Sequence, residues 1–246
     1  MPVSLTSTKM QLGLRGTEEW IERLLLPRAD RLADVSFCLF LPFPVLLPAV
    51  RALEGTGIVV GAQNLWYEGG AVSGEVSAEL LAEIGCGAAM IGHIERRRLF
   101  GEDDALVTRK ARAAADTGLL PVVCVGEPEA VPATEAAAHV RRQATALRDA
   151  LPSAAPVTVL YEPGWAVGAD KGADPDHAAS ALEALREVLS PDLRNGETRF
   201  LYGGAVVPGS YQALRGAAPW DGVAVGRVAR DPARLDAVLA ELLDGA

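Results

Sequence analysis

The chain has 246 residues, half of them hydrophobic, and a formal net charge of −9 at pH 7. That length supports one large α/β domain or two small ones, and the hydrophobic fraction excludes an intrinsically disordered chain. The acidic balance speaks against nucleic acid and anionic membranes as partners, so an anionic small substrate would need positive potential at its own site.

From the N-terminus, "MPVSLTSTKM" lacks the basic and apolar regions of a signal peptide. The first predicted strand is "VSLT" (3–6), followed by a helical pattern in "TEEWIERLLL" (17–26). "VSFCLF" (35–40) is the second strand. The apolar stretch it opens is broken by Pro42, Pro44 and Pro48, which argues against a membrane span. Strands then follow at "GIVVGAQ" (57–63), "AAMIG" (88–92) and "PVVCVG" (121–126), before a long helical pattern at 128–151. "VTVLYE" (157–162) precedes a helix at 175–189, which Asp174 caps and Pro175 opens. The last strands are "RFLYGG" (199–204) and "GVAVG" (222–226), and Asp231-Pro232 starts the closing helix. Cys38, Cys86 and Cys124 are widely spaced, match no metal pattern and lie in apolar segments. They read as buried reduced thiols of a cytoplasmic protein.

Continuously apolar strands alternating with amphipathic helices point to a parallel sheet covered on both faces. Eight such units in this length predict a (β/α)₈ barrel, with residues 1–246 forming one domain. The competing doubly wound sheet lacks support, because the turn "TSTKMQLG" carries no glycine-rich dinucleotide fingerprint.

In a barrel of this kind the chemistry sits at the C-terminal ends of the strands. Lys9 follows strand 1, His93 and Glu95 follow strand 4, and Glu162 closes strand 6. Gly203-Gly204 and Gly226 close strands 7 and 8. A carboxylate at a strand tip beside apolar surface can act as a base, and an imidazole and an ammonium on the same rim can stabilise an oxyanion. Glu95 could instead cap the helix it begins, and Arg96, Arg97 and Arg98 read as structural, pairing with Glu75 or Glu102. "GWAVGADKGA" (164–173) has the small residues of a mobile lid around a bulky Trp165. The glycine corners offer backbone N–H groups to a phosphate. Arg227, directly after Gly226, could grip that phosphate, fill space or point outward along the rim; the first, re-seating the substrate, is the expectation carried forward.

These stretches together resemble the triosephosphate isomerase family nearly end to end. The resemblance is carried by "KM" (9–10), "AQN" (62–64), "SGE" (73–75), "GHIERR" (92–97), "LFGED" (99–103), "VVCVGE" (122–127), "YEPGWAVG" (161–168) and "YGGAV" (202–206). It implies a homodimeric barrel, without cofactor or metal, that isomerises a small phosphorylated sugar. By the same resemblance Glu162 is the base, a neutral His93 polarises the carbonyl, Lys9 stabilises the enediolate and Glu95 supports them. Ser7, Gly168, Gly204, Ala205 and Gly226 would line the substrate and phosphate. The dimer would form through the loop around 65–75, where Leu65, Trp66 and Tyr67 would be costly in solvent and Ser73 would lie near the partner's site.

The chain departs from the family pattern around the substrate. Ser7 stands where the family usually has asparagine, Ile94 and Ala205 where it has serine, Ser73 where it has threonine, and Arg227 where it has a second glycine. Three functions are therefore carried forward. The first interconverts dihydroxyacetone phosphate and glyceraldehyde 3-phosphate. The second isomerises or epimerises a tetrulose phosphate such as erythrulose phosphate. The third is a catalytically idle barrel that binds a sugar phosphate, against which the retained base and imidazole argue.

Overall fold

In the computed structural model, which describes residues 2–245, eight parallel strands close on themselves in chain order. They are β1 (Val3–Ser7), β2 (Cys38–Leu41), β3 (Val59–Ala62), β4 (Ala88–Ile91), β5 (Leu120–Val125), β6 (Val157–Tyr161), β7 (Thr198–Tyr202) and β8 (Gly222–Ala224). The last strand returns to the first, with Val3 opposite Gly222 and Leu5 opposite Ala224. The sequence pattern implied this (β/α)₈ barrel, and every predicted strand overlaps an observed one.

Alternation along the strands divides the apolar residues into two cores. Leu5, Phe40, Met90, Val122, Cys124, Leu160 and Leu201 form one cluster inside the barrel. Their neighbours Leu39, Ile91, Val123, Val159 and Tyr202 join a larger cluster with the helices outside. Both faces of each strand are thus buried, which is why the strands read as unbroken apolar runs.

The helices differ from expectation where proline intervenes. The pattern at 17–26 becomes an α-helix (Leu14–Trp20), then a widened π-helical turn (Ile21–Leu25) and a tight 3₁₀ turn (Leu26–Arg28). Pro27 has no N–H to give, so the regular ladder cannot continue through it. The helix expected at 128–151 starts at Ala133, because Pro132 is extended and a residue before proline avoids the helical region. The helix Pro175–Val188 begins as expected, with the Asp174 side chain accepting from Asp176 N. Val35 precedes β2 as part of the preceding turn, in which Ser36 takes a left-handed φ of 44°. Among the described residues, no helix is long and apolar enough to cross a membrane.

Candidate active site

A cavity of about 610 Å³ opens at the C-terminal ends of the strands. Ser7, Lys9, His93, Glu95, Glu162, Gly168, Gly204, Ala205, Gly226 and Arg227 all line it. Residues separated by most of the chain therefore share one wall. Ser73 is exposed on the 65–75 loop and does not line the cavity.

Lys9 sits in the left-handed region, with φ of 51°. A non-glycine residue held there stores backbone strain, which persists only where neighbours enforce it. Gln63 does so: its side-chain amide donates to the carbonyls of Lys9 and Phe40, both at 3.1 Å. Ser7 Oγ accepts from the Lys9 backbone N–H at 3.3 Å. The twisted turn aims the Lys9 ammonium into the mouth, where it pairs with Glu95 and lies 3.3 Å from His93 Nε2.

His93 is the N-cap of the short helix Ile94–Phe100, and its Nδ1 accepts from Glu95 N at 3.2 Å. A ring nitrogen that accepts from a backbone N–H carries no proton, so the imidazole is neutral with hydrogen on Nε2. The Glu95 carboxylate, 3.6 Å from Nδ1, is too far for the hydrogen bond a protonated ring would need. Nε2–H and the Lys9 ammonium are then both donors, side by side at the cavity wall.

Glu162 completes the group, with Oε1 at 3.3 Å from His93 Nε2. Its side chain is 6% exposed, and Oε2 is buried without a hydrogen-bond partner. Two glycines make its position possible. A Cβ on Gly126, whose φ is 157°, would lie 2.1 Å from the Glu162 carbonyl oxygen, and one on Gly203 would lie 2.8 Å from Glu162 Cγ. Beneath it, inside the barrel, lies Cys124. Burial, with added weight from the negative charge of Glu162, pushes the Cys124 thiol well above its ordinary pKa.

The arginine run fastens this rim. Arg96 Nε lies 2.6 Å from Glu102, which also takes the buried Lys110 ammonium at 2.5 Å. Lys110 reaches Asn64 Oδ1 as well, at 2.8 Å. Arg97 donates to the Gly92 carbonyl at 2.9 Å and to Asp104 at 2.7 Å. Glu102 is thus a partner of the run, whereas Glu75 forms no ion pair among the described residues. Ile94 packs away from the mouth, under Gly164, whose Cβ would meet it at 3.0 Å.

Residues 163–173 cross the cavity between β6 and the helix Pro175–Val188. Trp165 lies at the base of this segment, not at its tip, and donates from Nε1 to Glu127 at 2.9 Å. Glu127 is 1% exposed and also takes the Tyr161 hydroxyl at 3.1 Å and His177 Nε2 at 3.2 Å. Burial and that carboxylate raise the Tyr161 pKa far above its usual value. At the other end Ala173 N donates to the Tyr202 hydroxyl at 2.7 Å. Gly168, Asp170 and Lys171, between these anchors, are exposed. Arg227 reaches this tip, with Nη2 at 3.3 Å from the Ala169 carbonyl and 3.5 Å from that of Gly168.

The supporting roles of Gln63, Lys110 and Cys124 escaped sequence reasoning, although "AQN" and "VVCVGE" marked two of the stretches that hold them. Trp20, Arg230 and Arg234 also line the cavity. Among the described residues, no group of three or more His, Cys, Asp or Glu side chains could hold a metal.

The family model described as "Triosephosphate isomerase" matches residues 2–242. The chain belongs to the triosephosphate isomerase family. A triosephosphate isomerase of Rubrobacter xylanophilus is 39% identical over 92% of this chain and 91% of its own length. One of Thermus thermophilus is 38% identical, covering 84% of this chain and 83% of its own. A relative named L-erythrulose-1-phosphate isomerase, from Pectobacterium atrosepticum, is 37% identical over 96% of this chain and 93% of its own length. Membership makes the chain an aldose–ketose isomerase by kind. Two different sugar phosphates appear in the names of these relatives.

Proposed function

We propose that the chain interconverts dihydroxyacetone phosphate and glyceraldehyde 3-phosphate by moving a proton between adjacent carbons through an enediolate. The observation that carries this reading is the Glu162 carboxylate. It is nearly buried in the cavity wall, 3.3 Å from His93 Nε2, with one oxygen unpartnered. Such a group is free to take a proton from carbon and return it. His93 Nε2–H polarises the carbonyl and relays protons between the two oxygens, and its neutrality keeps it from quenching the base. The Lys9 ammonium stabilises the enediolate's charge. Glu95 holds Lys9 through its carboxylate and sets the His93 tautomer through its backbone N–H.

The lid 163–173 excludes water, which strengthens these interactions and limits loss of phosphate from the enediolate. Backbone N–H groups at Gly168, Gly204, Ala205 and Gly226 take the phosphate, with Ser7 at the edge of the substrate and Arg227 beside the anion. The proposed protein is one barrel domain, works in the cytoplasm, needs no cofactor, and serves the triose phosphate step of glycolysis and gluconeogenesis.

A homodimer through the loop around 65–75, with Ser73 near the partner's site, is part of this reading. Leu65 is fully buried in its own barrel, so it needs no partner, which corrects one ground given for the interface. Better support comes from Met10, Leu99 and Phe100, which are 93%, 75% and 66% exposed. Large apolar side chains left in water at corners of the rim suit a subunit contact. Sedimentation of the purified chain as a monomer would remove the dimer.

A second reading, isomerisation of a tetrulose phosphate, is favoured by the named Pectobacterium relative and by the altered residues Ser7, Ala205 and Arg227 at the substrate's edge. Steady-state assays on glyceraldehyde 3-phosphate and on a panel of tetrulose phosphates separate the two. A kcat/KM near about 10⁸–10⁹ M⁻¹s⁻¹ on the triose supports the first. Slow triose turnover with fast tetrulose turnover supports the second, and no turnover of any ketose phosphate by the folded chain overturns both.

A further inference from the structure

Arg227 does more than flank a phosphate corner. It follows β8 at the start of the 3₁₀ turn Arg227–Arg230, and its side chain is 67% exposed. All its hydrogen bonds to protein run through Nη2, to the carbonyls of Gly168 and Ala169. Asp170 Oδ1, on the same tip, lies 3.8 Å from the same nitrogen. An arginine has five N–H bonds, so the three on Nε and Nη1 have no partner among the described residues, and the residue lines the cavity. Arg230 and Arg234 line that cavity too, which gives this rim of an acidic protein a locally positive potential.

The lid has few other ties here. Its two ends are anchored by Trp165 on Glu127 and by Ala173 on Tyr202. Gly172 passes so close to the β7 corner that a Cβ would lie 2.7 Å from the Ala205 carbonyl oxygen. Ala205, with no hydroxyl, offers the tip no side-chain bond. Among the described residues, the hydrogen bonds that tie Gly168 and Ala169 to the barrel come from Arg227.

We propose that Arg227 is a clamp that holds the lid tip and the substrate's phosphate at once. Nη2 grips the lid carbonyls while Nε and Nη1 donate to oxygens of a phosphomonoester dianion. Binding of the anion and closure of the lid are thereby coupled through one guanidinium. Lysine cannot replace it, because a single ammonium is a point charge and does not span both partners. The proposal rests on the isomerase reading for its ligand class, but its test needs no turnover.

The test titrates the full-length native protein, Arg227→Ala and Arg227→Lys with glycerol 3-phosphate, a phosphomonoester that cannot isomerise. Binding is read by calorimetry. Lid closure is read separately, from the rate of tryptic cleavage after the exposed Lys171 at the tip. Native protein should be protected at Lys171 by the ligand. Arg227→Ala should bind about 10- to 100-fold more weakly, the loss expected for a hydrogen bond to a charged group. It should also show no protection when the ligand is raised to the same occupancy. Arg227→Lys should recover part of the affinity but not the protection, and added methylguanidinium chloride should restore both to Arg227→Ala where sodium chloride does not. Binding within twofold of native overturns the clamp. So does weaker binding with full protection at equal occupancy, since a residue touching only the anion would leave the lid unchanged. If native protein binds and is protected yet isomerises no ketose phosphate, the functional reading fails while the clamp stands.

Discussion

On the β1, β4 and β6 side of the mouth, His93 and Glu162 have side chains 10% and 6% exposed and lie 3.3 Å apart. On the β7, β8 and lid side, Arg227 is 67% exposed and Gly226 has nothing within 4 Å of a Cβ position. The first side is overdetermined. Gln63 enforces the strained turn of Lys9, the Glu95 N–H fixes the His93 ring, and Gly126 and Gly203 clear the space for Glu162. Ala205 and Arg227 depart from the family pattern on this more open second side, as Ser7 and Ile94 do on the first. On the proposed reading, the chemistry is built into packed structure, whereas the anion meets a more open rim.

The largest effect should come from removing the base. Glu162→Gln keeps the size and shape of the side chain but cannot accept the proton, so kcat should fall by about 10²–10⁴-fold. Glu162→Asp withdraws the carboxylate by about 1 Å, and a displacement of that size can cost about 10²-fold. Rapid-mixing assays of folded protein should show both losses in kcat. An unchanged kcat in Glu162→Gln would assign the base elsewhere and dissolve the contrast between the two sides.

The buried support under this rim should fail in stability rather than in chemistry. Lys110 is 1% exposed and Glu102 4%, and burial draws the lysine's pKa below its ordinary value against the pull of Glu102. Lys110→Met leaves Glu102 buried with Arg96 as its remaining cation. The unfolding free energy should drop by about 3 kcal/mol, the low end for breaking a buried pair, because Arg96 stays in place. Urea denaturation measures it. A loss below 0.5 kcal/mol, no more than an exposed pair contributes by about the same measure, would show the network to be ornamental to the fold.

Gly203→Ala tests how closely the first side is packed around its carboxylate. The added methyl would stand 2.8 Å from Glu162 Cγ and 2.9 Å from Leu160 Cγ, so the carboxylate must shift. A loss of about 10- to 100-fold in kcat, with KM little changed, is expected from a displacement under an ångström. Equal changes in kcat and KM would mean that the methyl pushed on the substrate instead.

Much of this was legible from residue order alone. The barrel follows from eight apolar runs, and Lys9, His93, Glu95, Glu162 and the glycine corners follow from the rule that strand ends carry chemistry, because both depend on patterns local in sequence; Ser7, Gly168 and Ala205 follow only from the family resemblance. What escaped was relational. Gln63 matters for an amide that reaches Lys9, 54 positions away, and Lys110 for a carboxylate eight positions back, in the loop before its helix. No spacing rule announces such pairs. Trp165 was read as part of a moving tip because its neighbours are small, yet its indole is tied to Glu127, itself unremarkable in the sequence. Arg227 was read as a phosphate contact, and its hold on the lid carbonyls was visible only once the two loops stood together.

The smallest expected effect belongs to the more open side. Ala205→Ser restores the residue that the family usually carries after its paired glycines, at a partly exposed position whose hydroxyl would meet solvent or phosphate. One neutral hydrogen bond contributes about 0.5–1.5 kcal/mol, so KM for a triose phosphate should fall by no more than about tenfold while kcat holds. If the residue lies at the anion end, as proposed, the change should act alike on any ketose phosphate whose phosphate occupies that corner. A gain confined to the triose would mean that Ala205 helps admit a longer carbon chain. That outcome would move substrate choice from the arginine of β8 to the corner of β7.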